Sequence, residues 1–278
     1  MTAAPAPSGV GAEPHYERVT PPPPAPPQPP GHPPRTRRVL LAIAAVWALV
    51  LAIAGISYSF HGRPTAREQT TVASARPTVD TAIVNATRAA GSAAVPAVFG
   101  FEKVADCKVT PIRGGARYAR ELWLFVPADG TGPLLDRLAA GLPRSYHAKV
   151  LHAAHTLAAD AGDFVALDAA VLAPGLVSVK ADTGCRPVGP EPAADPTTTP
   201  GVDPLGVSGT WRLHTLPCGL RTTTVTGSAA RPLSGLPRSG DARSAPVIAT
   251  DDVYADRTGL AAYRDGSLVT LAATMGTC

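Results

Sequence analysis

Leu176-Val177-Ser178-Val179-Lys180-Ala181-Asp182-Thr183-Gly184-Cys185 returns 92 residues later, with one insertion, as Leu268-Val269-Thr270-Leu271-Ala272-Ala273-Thr274-Met275-Gly276-Thr277-Cys278. Both segments read as strands. Each follows a turn signal, Ala173-Pro174-Gly175 in the first case and Arg264-Asp265-Gly266 in the second, and each ends on a cysteine. Further upstream, Gly141-Leu142-Pro143-Arg144-Ser145 recurs as Gly235-Leu236-Pro237-Arg238-Ser239. Gly141 lies 44 residues before Cys185, and Gly235 lies 43 before Cys278. Matches in the same order at nearly constant spacing predict two copies of one unit, residues 96–185 and 207–278.

Local patterns fill in each unit. Val104–Ile112 and Arg117–Val126 predict a hairpin about Arg113-Gly114-Gly115-Ala116. Thr131–Ala140 predicts a helix, with Thr131 or Gly132 as cap, Pro133 in the first turn, Leu134 and Leu138 on one face, and Gly141 and Pro143 as stop. Tyr146–Ala159 is ambiguous by composition. Its counterpart carries Pro246 and Asp251-Asp252, which favours short strands there in both units. Phe164–Val171 and Leu176–Lys180 then predict a second hairpin. The second unit repeats the plan with Trp211–Thr215, Leu220–Val225, a short or degenerate helix near Ala229–Leu236, and strands near Val247, Leu260–Tyr263 and Leu268–Ala273. The expected class is α+β, mostly antiparallel β.

Four cysteines allow three pairings. Each unit holds one early and one late cysteine, so independent units would pair Cys107 with Cys185 and Cys218 with Cys278. The long, uneven spacings do not fit the usual zinc patterns. Between the units, Arg186–Gly206 carries six prolines and no apolar period, and reads as a Pro-rich linker, 186–206.

Working toward the N-terminus, 61–95 reads as a small, polar stalk. Val79, Ile83, Ala86 and Ala90 at helical spacing, with Gly91 as a stop, give it one short helix. Val39–Ile56 is an unbroken apolar run without a charge. Eighteen residues at about 1.5 Å each span roughly 27 Å, near the thickness of a bilayer core. It is longer than the apolar stretch of a signal peptide, and no small-x-small cleavage site follows, so 39–60 reads as an uncleaved transmembrane helix. Tyr58 and Phe60 suit an interfacial aromatic belt. Arg35, Arg37 and Arg38 precede the run, but Arg63, Arg67 and Arg76 follow it. Cysteine placement breaks the tie. All four cysteines follow the helix, as disulfides in an oxidising compartment would. The expected topology is N-terminus cytoplasmic, C-terminal domain extracellular, in the cell membrane. Residues 1–38, with PPPPAPPQPPGHPP at 21–34, read as a disordered Pro-rich tail, most simply a spacer, with a docking site for an aromatic-lined groove on a cytoplasmic partner as the alternative.

Composition limits function. After the helix there are 21 basic and 19 acidic residues, a net of +2. That is no footprint for nucleic acid. Low aromatic content argues against a sugar-stacking face, and Trp123 and Trp211 read as core. His147, His152 and His155, with Asp160 and Asp163 nearby, are metal-ligand types. On an extended segment His152 and His155 point to opposite faces, so solvent or turn positions are expected instead. No metal, cofactor or catalytic residue is assigned.

Two resemblances bear on function. Thr274-Met275-Gly276-Thr277-Cys278 resembles the TLxTC signature of sortases, which also carry an N-terminal anchor, and His214 lies 64 residues upstream. That resemblance implies a cysteine transpeptidase with Cys278 as nucleophile and His214 as base. The arginine that sortases carry after the cysteine is missing, and Cys185 holds the matching place in the first unit. The overall plan, with a Pro-rich tail, one span and the ADTGC segment Ala181–Cys185, resembles single-pass membrane proteins of unknown activity from high-GC Gram-positive (actinobacterial) bacteria. It implies topology and no activity. The leading expectation is a non-enzymatic envelope protein that presents a duplicated binding or assembly module. Its partners would be the membrane and another envelope protein. The sortase-like enzyme is the alternative.

Overall fold

A computed structural model describes residues 34–61, 70–199, 202–237 and 245–278. Two units separate along the chain, 1–56 and 57–278. Helix α1 (Pro34–His61), most of which lies in the first, contains a 22-residue stretch, Arg37–Tyr58, that is long and apolar enough to cross a membrane. Leu41, Trp47 and Leu51 are all strongly exposed, and Val39–Ile56 holds no charged residue, so this part of the helix has no charged face. The expected tail falls outside the described residues as far as 33, and its last five residues belong to α1.

The second unit is built on two six-stranded antiparallel sheets. The first contains β1 (Val95–Lys108), β2 (Gly114–Phe125), β3 (Lys149–Leu151), β4 (Thr156–Asp160), β5 (Ala166–Ala173) and β6 (Leu176–Asp182), in spatial order β1-β2-β6-β5-β4-β3. The second contains β7 (Arg212–Thr215), β8 (Arg221–Gly227), β9 (Pro246–Ala249), β10 (Val253–Asp256), β11 (Leu260–Asp265) and β12 (Leu268–Met275), ordered β7-β8-β12-β11-β10-β9. The two orders are the same, position for position. The recurring cysteine-terminated segments are β6 and β12, each inserted between the second and fifth strands of its sheet. A strand in that place has neighbours on both edges. β6 is also covered on both faces, which explains its nearly continuous burial.

Helix α2 (Val72–Ala90) is longer than the sequence suggested and is not part of a stalk. Val72, Val79, Ala82, Ile83, Ala86 and Ala90 are buried. With α3 (Thr131–Gly141) it covers one face of the first sheet, where Leu134, Leu135 and Leu138 join Leu122, Leu124, Val177 and Val179. Pro77 obscured this start, because the residue before a proline usually leaves the helical region. The helix tolerates Pro77 near its N-terminus, where the Thr71 hydroxyl accepts the Ser74 N–H. α2 therefore packs against the first sheet, although it lies before the expected boundary at 96. α3 matches its expected span, although Gly130 rather than Thr131 or Gly132 occupies the cap position.

The segment read as a linker is also strapped down. Arg186 is fully buried, the Leu213 N–H donates to the Pro196 carbonyl, and the Thr198 N–H donates to the Trp211 carbonyl. The two sheets share a core. Val95, Ala97, Phe125 and Leu176 of the first pack with Ile248, Val253, Ala255, Ala261 and Ala272 of the second. Gly175, at φ +81°, turns the β5–β6 hairpin at this contact. A side chain there would press on the Val126 carbonyl oxygen and Ile248. A separate cluster, including Trp211, Leu233, Leu236, Tyr254 and Leu271, fills the second sheet's own side. The expected short helix is there a single turn, Leu233–Gly235.

Cys107 is bonded to Cys185, with Cα atoms 5.9 Å apart, and Cys218 to Cys278, at 5.0 Å.

Candidate functional site

A buried ionic cluster forms where α2, the first sheet and the second sheet meet. β2 presents Tyr118, Arg120, Leu122 and Leu124 on one face, so Arg120 lies in a row of otherwise apolar and aromatic side chains and is 0% exposed. Its Nε lies 3.2 Å from Asp80 Oδ1 on α2, an ionic contact rather than an aligned hydrogen bond. Its Nη2 lies 3.8 Å from Asp195 Oδ2, and its Nη1 donates to the Thr215 carbonyl at 3.2 Å. Arg76, one turn before Asp80, reaches Asp195 Oδ1 at 3.4 Å and the Ala193 carbonyl at 3.2 Å. His214 on β7 is 2% exposed. Its Nδ1 lies 2.8 Å from Asp195 Oδ2 and its Nε2 lies 2.8 Å from the Thr224 hydroxyl on β8.

The charges respond to this setting. Burial pushes the Asp80 carboxyl above the usual carboxylate range, against the pull of Arg120 and Arg76. Burial also pushes Asp195 up, but the His214 hydrogen bond and the nearby arginines outweigh it and hold that carboxyl below the usual range. Burial lowers Arg120 despite its two carboxylate neighbours. The cluster joins α2, β2, the connecting segment and β7 at one point.

Beside it, a cleft of about 520 Å³ opens between the sheets. Phe99, Glu102 and Lys103 of β1, Glu121 of β2 and Lys180 of β6 form one side; Arg212, His214 and Thr224 form the other. The Glu121 Oε1 atom accepts hydrogen bonds from Trp123 Nε1 at 2.7 Å and from the Ser178 hydroxyl.

The residues singled out from sequence fall elsewhere or are otherwise engaged. Cys278 is in a disulfide, so it offers no thiolate, and both nitrogens of His214 are engaged by Asp195 and Thr224. His147 and His155 end short turns at φ 49° and 51°, a left-handed conformation for which histidine is enriched. His152 is exposed, 3.5 Å from Asp136. Asp163 sits at φ 50°, and Asp160 accepts the Gly162 N–H. Trp211 is buried in the second sheet's core, and Trp123 packs on Phe99 with ring centroids 4.5 Å apart. No motif or spacing in the sequence singles out Asp80, Arg120 and Asp195 as a group. The available signal was Arg120 itself, a charge at an inward position of an apolar strand face.

A second buried polar contact has a measurable consequence. The Tyr254 hydroxyl, in a 1% exposed residue, donates to Asp256 Oδ2 at 3.1 Å. Burial, together with the Asp256 charge, pushes this phenol up to about 12. The folded state therefore favours neutral tyrosine. This contribution is complete below the unfolded value near 10 and is lost as pH rises toward 12. Denaturation of wild type and Tyr254→Phe across pH 9–12 should show wild type losing roughly 2 kcal/mol more than the variant.

Comparison with protein-family models, with curated proteins and with solved structures finds no match to this chain.

Proposed function

We propose that this chain is a bitopic membrane protein with its N-terminal tail in the cytoplasm. It presents a duplicated, non-enzymatic binding or assembly module outside the cell membrane. The observation that carries this reading is the pair of disulfides in the module that follows the apolar helix. Such bridges persist in oxidising compartments and are rare in the cytosol. The matching strand orders support duplication of one unit. A structural role also accounts for the groups that could otherwise carry chemistry. The cysteines are paired, and His214, Asp195 and Arg120 bind one another in the shared core. The module then acts as one rigid body offering its outer surface and cleft to a partner.

All four lysines, Lys103, Lys108, Lys149 and Lys180, follow the helix, which gives a direct test. Intact cells are treated with a membrane-impermeant amine-reactive biotin and the labelled sites are mapped. Labelling of exposed Lys108 and Lys149 without lysis is the expected result. Labelling that requires permeabilised cells overturns the sidedness.

A further inference from the structure

We propose that the cleft between the sheets binds a short unblocked peptide, holding its ammonium group on Glu121 and its carboxylate on Arg212. This rests on the reading of the module as a binding module and names the ligand class it would take.

Glu121 is set up as an acceptor. Two donors fix Oε1, the Trp123 indole and the Ser178 hydroxyl, while Oε2 has no hydrogen bond among the described residues. The carboxylate is thus oriented before any ligand arrives, which reduces the ordering cost of binding. On the other side, Arg212 stands opposite Thr224 in the β7–β8 register, so both side chains share the cleft-facing side. The Arg212 side chain is 45% exposed, and its nearest carboxylate, Glu102, is 4.0 Å away. That loose contact leaves its fork of donors open to a ligand carboxylate. The floor beneath is fixed by the His214–Thr224 and His214–Asp195 bonds.

The balance of charge selects the ligand. Three cations, Lys103, Lys180 and Arg212, and two carboxylates, Glu102 and Glu121, line the space. Lys103 is already 2.6 Å from Asp106. A phosphate or polyanion would face the two carboxylates, and a simple cation would face the three positive groups. Apart from His214, Phe99 is the one aromatic ring on the lining, and it packs on Trp123 and His214 with ring centroids 4.5 and 6.4 Å apart, a small surface for stacking a sugar ring. A ligand with one charge of each sign satisfies both sides, and Lys180 can meet its carbonyl groups. The volume, about 520 Å³, lies in the range of small-ligand sites.

The test is calorimetric titration of the full chain in detergent with tetra-alanine. Controls are tetra-alanine acetylated at its N-terminus, tetra-alanine amidated at its C-terminus, and inorganic phosphate. One-to-one saturable binding of the free peptide is expected. Either blocking group, Glu121→Gln or Arg212→Gln should weaken it at least about tenfold. Glu121→Gln keeps the Oε1 acceptor for Trp123 and Ser178, and Arg212 is exposed, so neither change should disturb folding. No saturation by tetra-alanine overturns the proposal, as does equal binding of blocked peptide, phosphate competing equally, or indifference to both substitutions. Failure here leaves the biotin result standing. Failure of the biotin test removes the outer-module reading without touching a measured peptide affinity.

Discussion

Replacing Arg120 with Met should lower the unfolding free energy by about 3–5 kcal/mol, the usual cost of removing one partner from a buried ion pair. The cost does not come from lost attraction alone. Arg120 is 0% exposed and stands between Asp80 and Asp195, so its loss leaves carboxylates in a desolvated place. Asp195 keeps His214 and Arg76. Asp80 keeps only Arg76, at 3.8 Å, and bears most of the penalty. Two further results follow. Asp80→Asn added to Arg120→Met should recover part of the loss at pH 7, because the uncompensated charge is gone. The deficit of Arg120→Met should also shrink as pH falls. Burial already raises Asp80, and losing Arg120 raises it further. A carboxyl raised in the folded state stabilises when protonated, below its unfolded value near 4, and that contribution is lost as pH rises through the folded value. Urea unfolding followed by tryptophan fluorescence, from pH 4 to 8, measures all three. A deficit that does not change with pH would mean that Asp80 does not carry it.

Removing either disulfide should cost about as much. Cys107–Cys185 closes 78 residues and Cys218–Cys278 closes 60. In the chain-entropy model these loops correspond to about 4.5 and about 4.3 kcal/mol. The double serine variant at Cys107 and Cys185 frees the far end of the β1–β2 hairpin from the chain three residues beyond β6. The double variant at Cys218 and Cys278 releases the last residue from the β7–β8 turn. That turn packs through Leu216 and Leu220 into the core beneath α2, where Arg88 Nε donates to the Cys278 carbonyl at 3.1 Å. Denaturation midpoints of each pair of variants, compared with wild type under non-reducing conditions, should fall accordingly. Peptide mapping without reductant should recover the same two bridges.

Much of the strand plan was legible because a strand's period of two leaves a local trace. The β5–β6 hairpin has Pro174-Gly175 at its turn, and β6 and β12 repeat each other in their residues. α3 was bounded by Pro133 and Gly141. The start of α2 was lost because Pro77 mimics a boundary, and its tertiary burial could not be seen from Ala and Val side chains that also suit a stalk. The linker misled in a similar way. Its prolines deny it regular structure, yet they do not prevent its carbonyls and Asp195 from being held by neighbours.

The sequence by itself determined an apolar helix that could span a membrane, antiparallel strands in a recurring order, and a cysteine placement that made one pairing preferable. These rest on composition, local period and order along the chain. Only the tertiary structure decided that α2 and the connecting segment belong to the module, that the sheets share a core, and that Asp80, Arg120, Asp195 and His214 meet in it. Their separations in sequence, 40 residues from Asp80 to Arg120 and 75 more to Asp195, carry no periodic signal. Such contacts exist only after chain closure has brought distant segments together, at an entropic cost that the packed interface repays.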